Sequence, residues 1–332
     1  MSEYKEIKGI KVQDLGADPP APFVGQIWYN NSSSDLKYYG GPIPASWATS
    51  SNLTTGRELL GSCGATQSTA LAFGGDSLTG ATAATEEYNG SSWTNGGNMG
   101  TTRQYGLAGC GTQTAALAIA GGQGTAPYVT NISEEYNGSS WTAGGNLGTA
   151  RYRLAGAGTQ TAGLAIGGKG GSPAGFAASN LVEEYDGSSW TAGGNLPAAT
   201  EKLAGLGTQT AALATGGNSG TGVVTTTSEY NGSSWTAGGA LNKAREELTG
   251  TGLQTAAVVF GHPPSPPISN TELYDGTSFT TSTNMNTNRD KLGAAGTKAA
   301  ALAFGGSPTG SNEATEEFTD ATPAGTRIIG TN

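Results

Sequence analysis

The chain has one histidine, His262, and two cysteines, Cys63 and Cys110, in 332 residues. A zinc site needs several such ligands, so no His/Cys cluster can form one. A Ser-His-acid triad would have to use His262, which lies in His262-Pro-Pro-Ser-Pro-Pro267 with no nucleophile elbow nearby. Charged residues are only 12% of the chain and the net charge is −9. A nucleic-acid partner needs clustered Lys and Arg, so that class is excluded. No apolar run reaches the length of a membrane span. The start, Met1-Ser-Glu-Tyr-Lys-Glu, has no apolar core, so a secretory signal is not read there and synthesis in a cytoplasm is expected. Helix-period patterning is missing throughout. The sequence therefore predicts no enzyme, no metal and no cofactor.

What the chain has is glycine, 56 copies, and a sentence said six times. The phase marker is Trp47, Trp93, Trp141, Trp190 and Trp235, then Phe279, at steps of 46, 48, 49, 45 and 44 residues. A period of this size marks a solenoid, a propeller or an array. Each unit divides into four strand-length segments: Leu-Ala-Gly-x-Gly-Thr-Gln, Thr-Ala-Ala-Leu-Ala-x-Gly-Gly, x-Glu-Glu-Tyr and Ser-Ser-Trp-Thr. Asn89-Gly90, Asn137-Gly138, Asp186-Gly187, Asn231-Gly232 and Asp275-Gly276 separate the third from the fourth. Such pairs predict type I′ hairpins, with positive φ at both central residues. Each unit is then an antiparallel four-stranded meander, and meanders at this period are propeller blades. Gly and Ala suit inner strands crowded at an axis, while Tyr and Trp fill the wider gaps between blades.

The spacing of Gly-Gly, Tyr and Trp resembles the kelch repeat. Matching copies are Gly74-Gly75/Tyr88/Trp93, Gly121-Gly122/Tyr136/Trp141, Gly167-Gly168/Tyr185/Trp190 and Gly216-Gly217/Tyr230/Trp235. The fifth departs, with Phe260-Gly261 and Phe279; the sixth has Gly305-Gly306 and Phe318 but no later Trp. The expected fold is all-β: a six-bladed kelch-like β-propeller of four-stranded antiparallel blades over residues 41–332. Its closure would put the orphan strand around Trp47 beside the strand of Glu316-Glu317-Phe318, leaving no open edge. The competing closing strand is Thr326-Arg-Ile-Ile-Gly330.

Connectivity puts the loops between second and third strands on one face: 76–85, 123–133, 169–182, 218–228, 262–270 and 307–315. They vary, while the turns of the opposite face hardly do, so binding is expected among them. Tyr128, Val129 and Phe176 are the exposed-looking apolar candidates there, and His262 and Pro264 lie in a proline-stiffened loop. The Glu pairs at 86–87, 134–135, 183–184 and 316–317 invite a glycosidase reading. They recur in every blade but two, and adjacent strand residues face opposite ways, so they read as architecture. One of each pair is expected to meet the Arg that opens a blade (Arg57, Arg103, Arg151, Arg245 or Arg289), with Glu201-Lys202 replacing it in the fourth. Gly163 to Lys169 imitates a phosphate loop, but Gly170 follows instead of Ser or Thr and no helix does. Aligned on Gln67 and Gln113, the two cysteines are offset by one residue, which predicts opposite faces, no disulfide and a role as small buried hydrophobes.

Residues 1–40 do not repeat. Gly25-Gln-Ile-Trp-Tyr-Asn-Asn-Ser-Ser-Ser-Asp-Leu-Lys-Tyr-Tyr39 reads as a hairpin. It resembles a Gly-Gln-x-Trp/Tyr-Tyr-Asn…Leu-Lys segment of tail-fibre and other virion proteins of marine bacteriophages. The resemblance implies a virion protein made in a host cytoplasm. Residues 1–40 would be its attachment segment, with Trp28 and Tyr29 as contacts to other virion proteins. The propeller would meet a host-surface glycan or protein, with no membrane insertion and with homo-oligomerisation left open. A capsid-decoration or tail/neck protein without a receptor, and a cellular kelch-like lectin or carbohydrate-active protein, are the alternatives.

Overall fold

The computed structural model describes residues 5–7, 10–123, 128–170, 176–261, 270–307 and 313–329. Asn-Gly and Asp-Gly do set the outer hairpins, but not through type I′ turns. In Asn89-Gly90-Ser91-Ser92 only the glycine takes positive φ, 91°. The Asn89 side-chain oxygen accepts from the Ser91 and Ser92 N–H groups at 3.0 and 2.9 Å. This is an Asx turn closing a four-residue loop between Tyr88 and Trp93. Asp186 makes the same turn, and the donated N–H groups hold its carboxyl down at about 2.

Such turns lie in five of the six four-stranded antiparallel sheets among the described residues. The first consists of Gly61–Thr66, Thr69–Phe73, Thr85–Tyr88 and Trp93–Asn95. Blades two to five repeat that order from Ala108 to Thr281. Blade six runs Gly293–Gly296, Ala300–Phe304, Thr315–Thr319 and then Ser46–Ser50, from the other end of the chain. Each inner strand touches the next, and that of blade six touches that of blade one, so the inner strands encircle an axis. Glycine is required there: a Cβ on Gly109 would stand 2.7 Å from the Ser62 carbonyl oxygen of the neighbouring blade.

Blades are joined by side chains at fixed places in the repeat. Gln113 Nε2 reaches back to the Ala70 and Tyr88 carbonyls at 3.0 and 2.7 Å; Gln160, Gln209, Gln254 and Gln67 do the same. Trp93 Nε1 donates to Thr315 Oγ1 of blade six, and Trp141 Nε1 to Thr85 Oγ1. Phe279 has no such donor, and in blade four the threonine it would meet, Thr227, bonds Thr215 instead, at 2.7 Å. The second Glu of each pair accepts the next blade's tyrosine hydroxyl: Tyr136 on Glu87, Tyr185 on Glu135, Tyr230 on Glu184, Tyr88 on Glu317. Burial, with the carboxylate reinforcing it, pushes Tyr136 and Tyr185 up to about 12. Where blade six carries Phe318, with no hydroxyl, blade five carries Leu273 in place of that glutamate.

The cysteines differ from expectation. A bulge after Cys63 absorbs the extra residue, so Cys63 faces Leu71 just as Cys110 faces Leu117. They occupy equivalent inner-strand places in adjacent blades, each thiol directed at the next blade's threonine carbonyl. Both are free and buried, and burial raises both thiols, Cys110 to about 12. A thiol-specific disulfide reagent is therefore expected to leave both unmodified in the native protein and to label both in denaturant; labelling of either under native conditions would contradict their burial.

The chain divides into Trp47–Thr319 and a second unit, Met1–Ser46 with Asp320–Asn332. The boundary expected at residue 40 is thus displaced, and the C-terminal strand Gly325–Ile328 pairs with Asp35–Gly40 rather than with a blade. Trp28, expected to be an attachment contact, is fully buried in the small unit. Its Nε1 donates to Asp18, as do Asn30 and Lys37; those bonds, Asn30's first, hold the Asp18 carboxyl below its usual range. Tyr29 is half-buried beside it.

Candidate functional site: the axial mouth and its loops

Each blade is led into by a short segment ahead of its inner strand. One residue of each segment is left-handed without being glycine: Leu59, Tyr105, Arg153, Lys202, Glu247 and Lys291, with φ between 54° and 58°. That conformation costs an ordinary residue on the order of 1–2 kcal/mol. Backbone bonds from blade to blade hold five of the six. Leu59 N–H donates to Lys291, Lys291 to Glu247, Glu247 to Lys202 and Lys202 to Arg153, each at 2.9 Å; Arg153 donates to Gly106 at 2.7 Å. The six residues therefore encircle the axis at the variable-loop face and form its mouth.

Two positions earlier stands the arginine that fastens the loop roots. Arg151 is fully buried; Nη1 donates to the Gly167 and Leu181 carbonyls, both at 2.7 Å, where one loop leaves and returns. Its Nη2 meets Glu183 at 2.9 Å, and the other oxygen of Glu183 accepts the Gly148 N–H at 2.6 Å. Arg57–Glu86, Arg103–Glu134, Arg245–Glu272 and Arg289–Glu316 repeat the pair. In blade four the arginine place is held by Thr200, one residue before the expected Glu201-Lys202, and the glutamate place by Ser228. Both partners are gone together. The loops then pair with the mouth segments: Arg57–Glu58 with Asp76–Ser77, Arg151–Tyr152 with Lys169–Gly170, and Asp290 with Ser307.

Of the expected binding residues, Tyr128 is 56% exposed and Val129 is buried, so Val129 is a root of its loop rather than a contact. Phe176 is half-buried, edge-on to Tyr152 at 5.7 Å. His262 and Pro264 lie outside the described residues. The structure adds Leu78, 94% exposed at a hairpin tip, and Tyr105, 39% exposed on the mouth. It also adds a ring of charge. Lys291 meets Glu58 at 3.5 Å, Lys202 meets Glu246 and Glu247 at 3.2 Å, and Lys169 meets Glu201 at 3.1 Å, each pair joining adjacent blades. In a chain this poor in charge, the polar residues just after each arginine place were the available signal.

Asp290 stands apart. It is 3% exposed, and its Oδ1 has no hydrogen-bond partner among the described residues. Burial pushes its carboxyl up to about 6; Lys291 opposes the shift, and Glu247 and Glu58 add to it. Asp76 is raised by burial and by Glu58. Among the described residues no three His, Cys, Asp or Glu side chains are grouped to hold a metal.

No family model matches the sequence, and no curated protein does. Among solved structures, one described as "Structure of YjhT" aligns with a TM-score of 0.66 over 83% of this chain and 99% of that one, at 11% identity. The fold is a β-propeller. At that identity the likeness concerns fold alone, and one propeller scaffold carries many functions.

Proposed function

We propose that the chain is a bacteriophage virion component, a tail-fibre or appendage adhesin that turns its variable-loop face to the host surface. One observation carries this reading: the Gln, Arg-Glu, Tyr-Glu and Trp-Thr contacts repeat around the ring, while the loops rooted in them differ in length and chemistry. A scaffold so uniform beneath loops so unlike one another suits recognition. The phage-like hairpin from Gly25 to Tyr39 supports a virion setting. Attachment to the particle is assigned to exposed apolar groups of the small unit, Phe23, Val24 and Ile43 at 70%, 60% and 47%, in place of the buried Trp28. Mass spectrometry of purified particles is expected to find the chain, and the purified protein is expected to compete with phage for adsorption. Incorporation without competition would replace the adhesin by a structural virion protein; absence from particles would end the virion reading.

A further inference from the structure

An unpaired strand edge offers a row of N–H and C=O groups to any other strand, and folded proteins blunt such edges with short strands or charge. In blades one to five the outermost strands, such as Trp93–Asn95 and Trp141–Ala143, have three residues each. The small unit has a five-stranded sheet with two edges. One is Lys5–Ile7, with two charged residues in three. The other is Gly325–Ile328, paired with Asp35–Gly40 on one side and with no strand on the other among the described residues. Ile329 N–H donates to the Leu36 carbonyl at 2.7 Å, so the ladder runs on past Ile328. Bonded and non-bonded residues alternate along an antiparallel ladder, so the N–H and C=O groups of Thr326 and Ile328 point away from Asp35–Gly40. No charge blunts this edge. Its one charged side chain, Arg327, folds back to the Gly41 carbonyl at 3.1 Å and lies 6.0 Å from the centre of the Tyr38 ring. Ile328 and Ile329 stay 57% and 41% exposed.

The occupant that fits is the same strand of a second copy. The small unit has five basic and six acidic side chains, only −1 of the chain's −9, so two small units meet with little repulsion. The edge is also self-complementary in one register. A two-fold axis through Arg327 would set like charges face to face. An axis through Ile328 sets isoleucine against isoleucine and lays each Arg327 opposite Ile329 of the other copy.

We propose that the chain forms a two-fold dimer in which Gly325–Ile328 pairs antiparallel with its counterpart about Ile328, joining two small-unit sheets into one. The inference is independent of the virion reading.

The test is sedimentation equilibrium of the full chain and its variants. Wild type is expected to exchange between monomer and dimer, with a dissociation constant on the order of micromolar for so small an interface. A monomer at every concentration overturns the proposal, and so does a trimer or larger species. Ile328→Lys puts two ammonium groups at the axis and is expected to weaken the dimer about tenfold or more, with added salt restoring part of it. Ile328→Pro removes an outward N–H and no bond to Asp35–Gly40, so the dimer should be lost while the fold remains; should that variant misfold, Ile328→Lys carries the test. Wild-type association in a folded variant overturns this edge as the interface. The register has its own check. Bonded partners in an antiparallel ladder have Cα atoms about 5.5 Å apart, within disulfide reach. Ile328→Cys is therefore expected to give a disulfide-linked dimer under copper–phenanthroline oxidation, the native thiols being buried. Leu78→Cys, at a site 94% exposed on blade one, should stay monomeric at the same concentration. No cross-link at 328, or equal cross-linking at 78, overturns the pairing about Ile328.

Discussion

Arg151→Ala is expected to destabilise the propeller by about 3–5 kcal/mol in urea denaturation, the range for breaking a buried ion pair by removing one partner. The reason lies in what stays behind. Glu183 would keep its charge at 10% side-chain exposure, with the Gly148 N–H at 2.6 Å still donating to it. The Gly167 and Leu181 carbonyls would lose the donor that joins the two ends of their loop. A surface arginine would cost a few tenths of a kcal/mol. A loss below about 1 kcal/mol would reject the staple. The chain contains its own control. Blade four has Thr200 and Ser228 at the two places, and its strands still pair in full register. Arg151→Thr with Glu183→Ser copies that blade. The double variant should recover much of the loss, because no buried charge is left uncompensated. If the double variant were as unstable as the sum of the singles, the pair would be two independent contacts and not a unit.

The same comparison shows what sequence could and could not reveal. Repetition exposes whatever depends on one place in the repeat: the strands, the presence of the hairpins, the aromatic wedge and the Arg-Glu pairing. Each has a fixed spacing and a residue type with one obvious use. The type I′ expectation failed because Asn-Gly is followed by Ser-Ser, whose N–H groups the Asn side chain takes, so the loop opens to four residues. The cysteine faces were misread because a bulge changes register without changing composition. The mouth was invisible for a different reason. Its residues share a backbone conformation, φ near +55°, while their side chains run from Leu59 to Lys291. A property carried by the backbone leaves no letter to align. Trp28 illustrates the converse error: a prominent aromatic outside the repeat looked like a contact, yet in a unit this small the large apolar ring is the core.

Trp47→Ala is expected to cost a further 3–5 kcal/mol or so, the range for emptying an aromatic site, and to lower the melting temperature by on the order of 10 °C. Trp47 is 7% exposed, and its ring packs on Phe260 of blade five at 5.0 Å and Phe318 of blade six at 5.1 Å. Its Nε1 donates to Thr271 Oγ1 and to the Thr283 carbonyl, both at 3.1 Å. At the end of the same strand, Ser50 reaches Glu317 at 2.9 Å and the Tyr88 hydroxyl of blade one at 2.5 Å. A segment from the beginning of the chain thus joins its last blades to its first. Losing the indole leaves a hole between blades and an unpaired Thr271 hydroxyl. Losing the strand leaves Thr315–Thr319 as an open edge, which templates association. Trp47→Phe separates the two contributions. It keeps the packing, as Phe279 does in its own blade, and gives up the donor for about 1 kcal/mol. Removing residues 1–50 should both lower the melting temperature and promote association, whereas Trp47→Ala, with its backbone still able to pair, should lower the melting temperature alone. An unchanged melting temperature in the truncated chain would mean that another strand closes blade six. Gly325–Ile328 could do so only by leaving Asp35–Gly40, which the same truncation sets free to happen. Repeating the truncation with Gly325–Ile328 also removed distinguishes that rescue from a ring that needs no closing strand.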